Sequence, residues 1–161
     1  MAKTTNKQYT TKGCFVCGEK NPNGLKMTFY ETCENEVVGL FESDESYCGY
    51  PNVLHGGISA SILDETIGRA IMITDPKILG MTLELNLKYK KPVNGIGTVR
   101  AIGRITRKRG GFFEGTGEII DEEGNPCVEA KGVYITIPEE KTKGMFDSSE
   151  FIYHKLDKTQ V

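Results

Sequence analysis

Between Gly57 and Ile137 the chain carries one helix-patterned stretch and then four strand-patterned runs, with nothing helical between them. In Gly57–Ile73 the residues Ile58, Ile62, Leu63, Ile67, Ala70, Ile71 and Met72 recur at helical spacing, and Ser59, Ala60, Ser61 and Gly68 fill the gaps. A helix apolar on most of its sides is a buried helix. Asp75-Pro76 ends it, because proline has no N–H to give and clashes with the preceding turn. The runs Met81–Lys91, Thr98–Arg107, Phe112–Asp121 and Cys127–Ile137 follow, the first alternating cleanly from Thr82 to Tyr89. Asn94-Gly95, Gly110-Gly111 and Gly124-Asn125 separate them as turns. Connections this short leave no room for crossover helices, so these strands pair antiparallel.

Ahead of the helix, Gly24–Ser43 reads as a hairpin: Leu25, Met27 and Phe29 alternate with polar residues, Asn35 turns, and Val37–Phe41 returns. Asp44–Leu54, with Gly49, Pro51 and Asn52, reads as a loop. Two strands, a buried helix and four strands define an α+β architecture, one curled antiparallel sheet around one long helix. The expected organisation is an N-terminal extension over residues 1–23, the helix-and-sheet domain over 24–138, and a polar C-terminal tail over 139–161 with one short helix near Ser149–Leu156.

The 161 residues suit one domain with a real core. Twenty basic and 22 acidic residues give a formal net charge of -2, so no basic field points to nucleic acid, and any anion site must be local. No apolar run approaches the roughly 20 residues that span a bilayer, and Met1–Gly13 lacks the apolar stretch of a secretory signal. The expectation is a cytoplasmic protein without membrane or nucleic-acid partners. Cys14, Cys17, Cys33, Cys48 and Cys127 are odd in number and scattered, which fits reduced thiols better than a disulfide framework.

The chemistry concentrates in Pro51–Glu65. His55-Gly56-Gly57 opens the helix, and a glycine pair there lets another molecule approach the backbone closely. Unpaired N–H groups and the positive end of the helix dipole favour an oxyanion, which is what a thioester carbonyl becomes when attacked. Two turns on, Asp64 stands in an otherwise apolar helix, where a carboxylate is costly unless paired or used. The plainer reading makes Gly-Gly a tight turn into the helix and has Asp64 and Glu65 pair with Arg69 or lysines on a partly solvated face.

His55-Gly56-Gly57 with Asp64 nine residues after the histidine resembles the signature of hotdog-fold thioesterases of the phenylacetate-pathway (PaaI-like) type. The likeness runs from about Cys14 to Pro138 and includes the strand order and the Tyr89-Lys90-Lys91-Pro92-Val93 end of the strand after the helix. The resemblance implies an acyl-CoA thioesterase with no cofactor beyond the coenzyme A of its substrate, built as a homodimer or homotetramer. Gly56 would donate its N–H to the thioester carbonyl, and Asp64, from a second subunit, would be the nucleophile or the general base for water. Gly57 would share the carbonyl-binding turn and His55 would shape it. Glu65 is the rival carboxylate; Asp64 is preferred for its spacing and because it shares a helix face with Gly57, Ser61 and Gly68. Other hotdog activities, hydration or dehydration of acyl-CoA and non-catalytic acyl-CoA binding, remain the alternatives. Two positions depart from the pattern. Gly68 stands where many relatives have Ser or Thr, and Gly49 where some have Asn or Gln; Asn52 is a candidate substitute for the latter.

Two further motifs stand apart. Cys14-Phe15-Val16-Cys17-Gly18 is half of a zinc site with no second half in sequence, and it resembles a lead-in found in some hotdog thioesterases, so it reads as a structural turn with no metal expected. Arg107-Lys108-Arg109, before Gly110-Gly111, suits the phosphates of coenzyme A or a solvated hairpin tip equally.

Overall fold

The computed structural model describes residues 2–156 and Val161. Its strands are β1 (Thr4–Lys7), β2 (Thr10–Thr11), β3 (Thr28–Thr32), β4 (Val37–Ser43), β5 (Cys48–Tyr50), β6 (Val53–Leu54), β7 (Leu79–Tyr89), β8 (Gly97–Arg109), β9 (Phe112–Ile120), β10 (Pro126–Ile137) and β11 (Phe151–Ile152). The main helix is α1 (Gly56–Gly68), and α2 (Glu139–Thr142) is a single turn. Seven strands form one antiparallel sheet in the order β1-β3-β4-β8-β9-β10-β7. The segment through α1 carries the chain from β4 to the far edge, so among the described residues β7 is hydrogen-bonded on one side only, to β10.

Close approach explains why the sheet can wrap the helix. A Cβ on Gly103 would stand 2.6 Å from the Thr66 carbonyl oxygen, and one on Gly115 or Gly117 would stand 2.5 or 2.7 Å from the Ile67 side chain. These glycines on neighbouring strands, with Gly103 directly opposite Gly117, make a bare strip on which α1 rests. Against that strip Ile62, Leu63 and Ile67 are fully buried, each contributing about 1.5–3 kcal/mol relative to exposure.

The helix-patterned stretch is divided. α1 stops at Gly68, and Arg69–Ile73 continues as a 3-10 segment, the tighter winding common at helix ends. Residues expected to be a plain loop fold into a 3-10 turn at Glu45–Tyr47 and the small hairpin of β5 and β6. At the start of the chain, β1 adds an edge strand beside β3, and Tyr9, Val16 and Cys17 are buried in the main core.

The tail corrects one expectation. Instead of a helix at Ser149–Leu156, a single 3-10 turn over Ser148–Glu150 is capped by Asp147, which accepts from the Ser149 N–H at 2.9 Å, and β11 then pairs with β2. Phe151 packs edge-to-face on Tyr9 with ring centroids 5.2 Å apart, a contact local propensity does not register. Among the described residues, no helix is long and apolar enough to cross a membrane.

Candidate active site

The turn into α1 separates the two glycines by their partners. His55 is the N-cap, and its Nδ1 accepts the Gly57 N–H at 2.9 Å. Among the described residues, the Gly56 N–H reaches no acceptor, while the Gly56 carbonyl accepts from the Tyr89 hydroxyl at 2.7 Å. Gly56 is therefore the free donor at the positive end of the helix dipole. A neutral His55 ring carries its proton on Nε2, because Nδ1 is committed to the cap. A cavity of about 550 Å³ opens here, its wall including His55, Gly56, Tyr89, Lys90 and Lys91. Gly49 packs on the imidazole: a Cβ there would stand 3.1 Å from His55 Cδ2.

Asp64 is half-buried, two turns further along. Thr82 donates its hydroxyl to Asp64 Oδ1 at 2.7 Å, and the Tyr134 hydroxyl lies 3.2 Å from the Asp64 carbonyl and 3.4 Å from Oδ1. Burial, then the Asp64 charge, push the Tyr134 phenol above its ordinary range, so it stays protonated as a donor. Neither hydroxyl was among the expected site residues. Gly68 admits one of them, since a Cβ there would stand 3.2 Å from the Tyr134 ring. The hydroxyl lacking at position 68 is thus matched by hydroxyls from β7 and β10. Asp64 lines a second cavity, about 310 Å³, walled by Tyr9, Met72, Leu79, Met81 and Tyr134 and by Met145 and Phe146 of the tail.

Glu65 points elsewhere. Its Oε1 accepts from Arg69 Nε at 2.8 Å. The buried Arg69 guanidinium also donates to the Tyr9 carbonyl at 2.9 Å and to Cys17 Sγ at 3.0 Å, and lies 4.5 Å over the Phe29 ring. This hub fastens the N-terminal segment to the C-terminal end of α1. Cys14 Sγ stands 4.0 Å from Glu65 Oε1. Among the described residues, Cys14, Cys17 and Glu65 form the one set whose ligand atoms, all within 4.8 Å of each other, match a metal site.

The remaining expected residues are scattered. Ser61 donates to the Gly57 carbonyl at 3.0 Å, inside α1. Asn52 sits at the exposed β5–β6 turn with φ 59, and its carbonyl accepts the Gly95 N–H at 2.9 Å. Lys108 Nζ bonds Thr74 Oγ1 at 2.9 Å, and Arg107 lies 3.7 Å from Glu114. Lys108 thus lies beyond the C-terminal end of the helix, and Arg107 and Arg109 are beside it, whereas Lys90 and Lys91 flank Gly56. Lys90 and Lys91 pair with Glu129 and Asp121.

An antiparallel sheet wrapped around a single long helix, with the helix N-terminus opening a cavity, is the hotdog fold. Residues 51–128 match the family model for the thioesterase superfamily. A mouse protein, acyl-coenzyme A thioesterase THEM4, is 31% identical over 115 residues, which cover 70% of this chain and 48% of that protein. The crystal structure of a thioesterase superfamily protein superposes with a TM-score of 0.71 at 25% identity, covering 78% of this chain and 61% of the other. That of a Bacillus halodurans protein with CoA gives 0.57 at 24% identity, covering 62% and 66%. The chain spans less than two thirds of the length of the curated relatives it matches. The family match covers just under half of the chain, and the solved structures share its hotdog fold.

Proposed function

We propose that this protein hydrolyses an acyl-CoA thioester to a free acid and CoA, at a site shared by two copies of the chain. The observation that carries the reading is the separation of the two chemical groups. Gly56 and Asp64 are eight residues apart on one helix, about 12 Å along its axis. A thioester carbonyl needs a donor and an attacking group each about 3 Å away, so one chain cannot supply both.

β7 supports the remedy. It is an open edge of 11 residues with Met81, Leu83 and Tyr89 more than half exposed, a hazard unless it is covered. Thr82 touches Asp64 near one end of β7, and Tyr89 touches Gly56 at the other. Antiparallel pairing of two copies centred on Asn86, with Leu83 as the extra residue that the β7–β10 register already carries, brings Thr82 of one beside Tyr89 of the other. Asp64 then meets the Gly56 N–H of a second copy, and the symmetric pair builds two equivalent sites.

In this reading the thioester oxygen accepts from the Gly56 N–H, and negative charge develops there at the helix N-terminus. Asp64, held by Thr82 and Tyr134, attacks the carbonyl carbon or takes a proton from the attacking water, and the C–S bond breaks to release the CoA thiolate. His55 spends Nδ1 on the cap, which counts against a histidine-led hydration reaction. The similarity to an acyl-coenzyme A thioesterase and to a protein crystallised with CoA supports the substrate class, with no cofactor beyond the CoA of the substrate. The PaaI-like subtype and a cytoplasmic location are part of the same reading. The test is turnover of short, long and aromatic acyl-CoAs with thiol release followed: hydrolysis that disappears in Asp64→Asn supports the reading, and binding without release defeats it.

A further inference from the structure

The Cys-x-x-Cys turn is left unused by this chemistry, and its surroundings are those of a reactive thiol pair. Cys14 is half-buried and lines the same cavity as Asp64, whereas Cys17 is buried beneath it at 1% exposure. Their sulfurs lie within 4.8 Å of each other, close enough for side-chain rotation to bring them to bonding distance. The backbone N–H groups of Val16 and Cys17 approach Cys14 Sγ at 3.3 and 3.5 Å, an arrangement that favours a thiolate. Behind the pair, Arg69 donates to Cys17 Sγ at 3.0 Å and to Glu65 at 2.8 Å. That guanidinium already supplies the positive charge that two thiols and a carboxylate would otherwise seek from a metal ion, and a divalent ion between them would stand against it.

We propose that Cys14 and Cys17 form a redox-active dithiol, a modification site in which Cys14 reacts with a peroxide from the cavity and Cys17 closes the disulfide beneath it. The Cys14 thiolate attacks one peroxide oxygen and the O–O bond breaks. Cys14 becomes a sulfenic acid, and the other oxygen leaves as alkoxide or hydroxide and takes a proton from water. The Cys17 thiol then attacks the Cys14 sulfur, loses its proton and expels the hydroxyl group as water. Two thiols have lost two electrons and two protons, and the peroxide has accepted both electrons. The hydrogen bond from Cys17 to Cys14 keeps the Cys14 thiol below the ordinary range, while the same bond and burial hold Cys17 protonated. Access to the cavity suits Cys14 to attack, and burial beneath it suits Cys17 to resolve. The exposed Cys33 is a built-in control.

The test treats the reduced full-length protein with one equivalent of hydrogen peroxide, blocks remaining thiols with a maleimide and maps peptides by mass spectrometry; it needs no acyl-CoA and is independent of the hydrolysis proposed above. The expected result is a Cys14–Cys17 disulfide, reversed by dithiothreitol and formed about tenfold faster than Cys33 is consumed. In Cys17→Ser, Cys14 stops at a sulfenic acid that dimedone traps; should that variant fail to fold, disulfide mapping of the unaltered protein decides alone. Oxidation of Cys33 with Cys14 and Cys17 still reduced overturns the proposal. So does one equivalent of zinc in the purified protein that alkylation of these two cysteines releases.

Discussion

Thr82 donates its hydroxyl to the Asp64 carboxylate at 2.7 Å, across 18 residues of sequence and from the first turns of the edge strand to the middle of the helix. With Tyr134 on the same carboxylate, it fixes where Asp64 points. If Asp64 is the catalytic group, Asp64→Asn keeps the shape and loses at least ~10³-fold in kcat, the scale seen when an essential carboxylate is removed. Near wild-type turnover in a folded Asp64→Asn protein rules the assignment out. A matching loss in Glu65→Gln alone moves it to Glu65.

Thr82 and Tyr134 touch Asp64, and in the proposed mechanism they act through it. A hydrogen bond to a charged group contributes ~1.5–3 kcal/mol, so Thr82→Val is expected to cut kcat roughly tenfold or more with KM little changed. Thr82→Ser, which keeps the hydroxyl, should restore most of it. A rise in KM with unaltered kcat would instead place Thr82 in substrate binding.

Arg69 is expected to matter for stability more than for turnover. It is 7% exposed and bridges Glu65, Tyr9 and Cys17. Arg69→Met strands Glu65 in a half-buried site and unties the N-terminal segment. Breaking a buried pair costs ~3–5 kcal/mol, discounted here because the Glu65 side chain is 25% exposed. At about 2–4 °C per kcal/mol for a domain of this size, thermal unfolding should fall by several degrees. An unchanged Tm would show that the hub holds nothing.

The Cys14 thiol, held below its ordinary range by the bond from Cys17, is expected to alkylate with iodoacetamide at a rate that levels off at lower pH than that of free cysteine. Glu65 is the carboxylate facing it, and Arg69 lies behind Cys17. The sign for stability follows. The depressed value of Cys14, taken alone, contributes stability above the unfolded thiol's range that is lost as pH falls through the folded value, while the raised value of its coupled partner Cys17 works in the opposite direction. A pH profile identical to that of free cysteine would refute the depressed value.

Two assignments for the CoA phosphates can be separated by substitution. Arg107, Lys108 and Arg109 lie beyond the C-terminal end of α1, whereas Lys90 and Lys91 line the cavity at Gly56. Neutralising the set that meets the phosphates should raise KM for acyl-CoA and leave KM for a truncated thioester unchanged. An equal effect on both substrates excludes that set.

What the sequence discloses is what is periodic. Ile58, Ile62, Leu63 and Ile67 announce α1, and alternation from Thr82 to Tyr89 announces β7, because burial on one face imposes the period directly. The hydroxyls on Asp64 follow no such rule. Tyr134 comes from 70 residues away, and the reason Gly68 is small becomes visible only with that ring against it. Phe151 pairs with Thr11 rather than joining a helix because β2 offers an open edge and Tyr9 a ring face. Cys14 and Cys17 were legible as a motif, but Cys14 meets Glu65 directly and Cys17 is joined to it through Arg69, contacts that bring together segments distant in sequence.

The proposed two-chain site admits a decisive mixing experiment. Asp64→Ala removes the proposed attacking group, and Gly56→Pro removes the free N–H. The backbone tolerates this proline: Gly56 is the first residue of α1, where proline is common. His55 before it already has φ -61 and ψ 135, the extended conformation that a following proline requires. A Cβ at position 56 would meet Tyr89 at 3.5 Å, an ordinary contact. Each variant alone should be folded and inactive. In a mixed dimer one site combines both defects and the other carries neither, so subunit exchange should return activity approaching one quarter of wild type: half the dimers are mixed, with one intact site in each. Light scattering that shows a monomer at working concentration, or exchange proven by mass without any recovery of turnover, would overthrow the shared site.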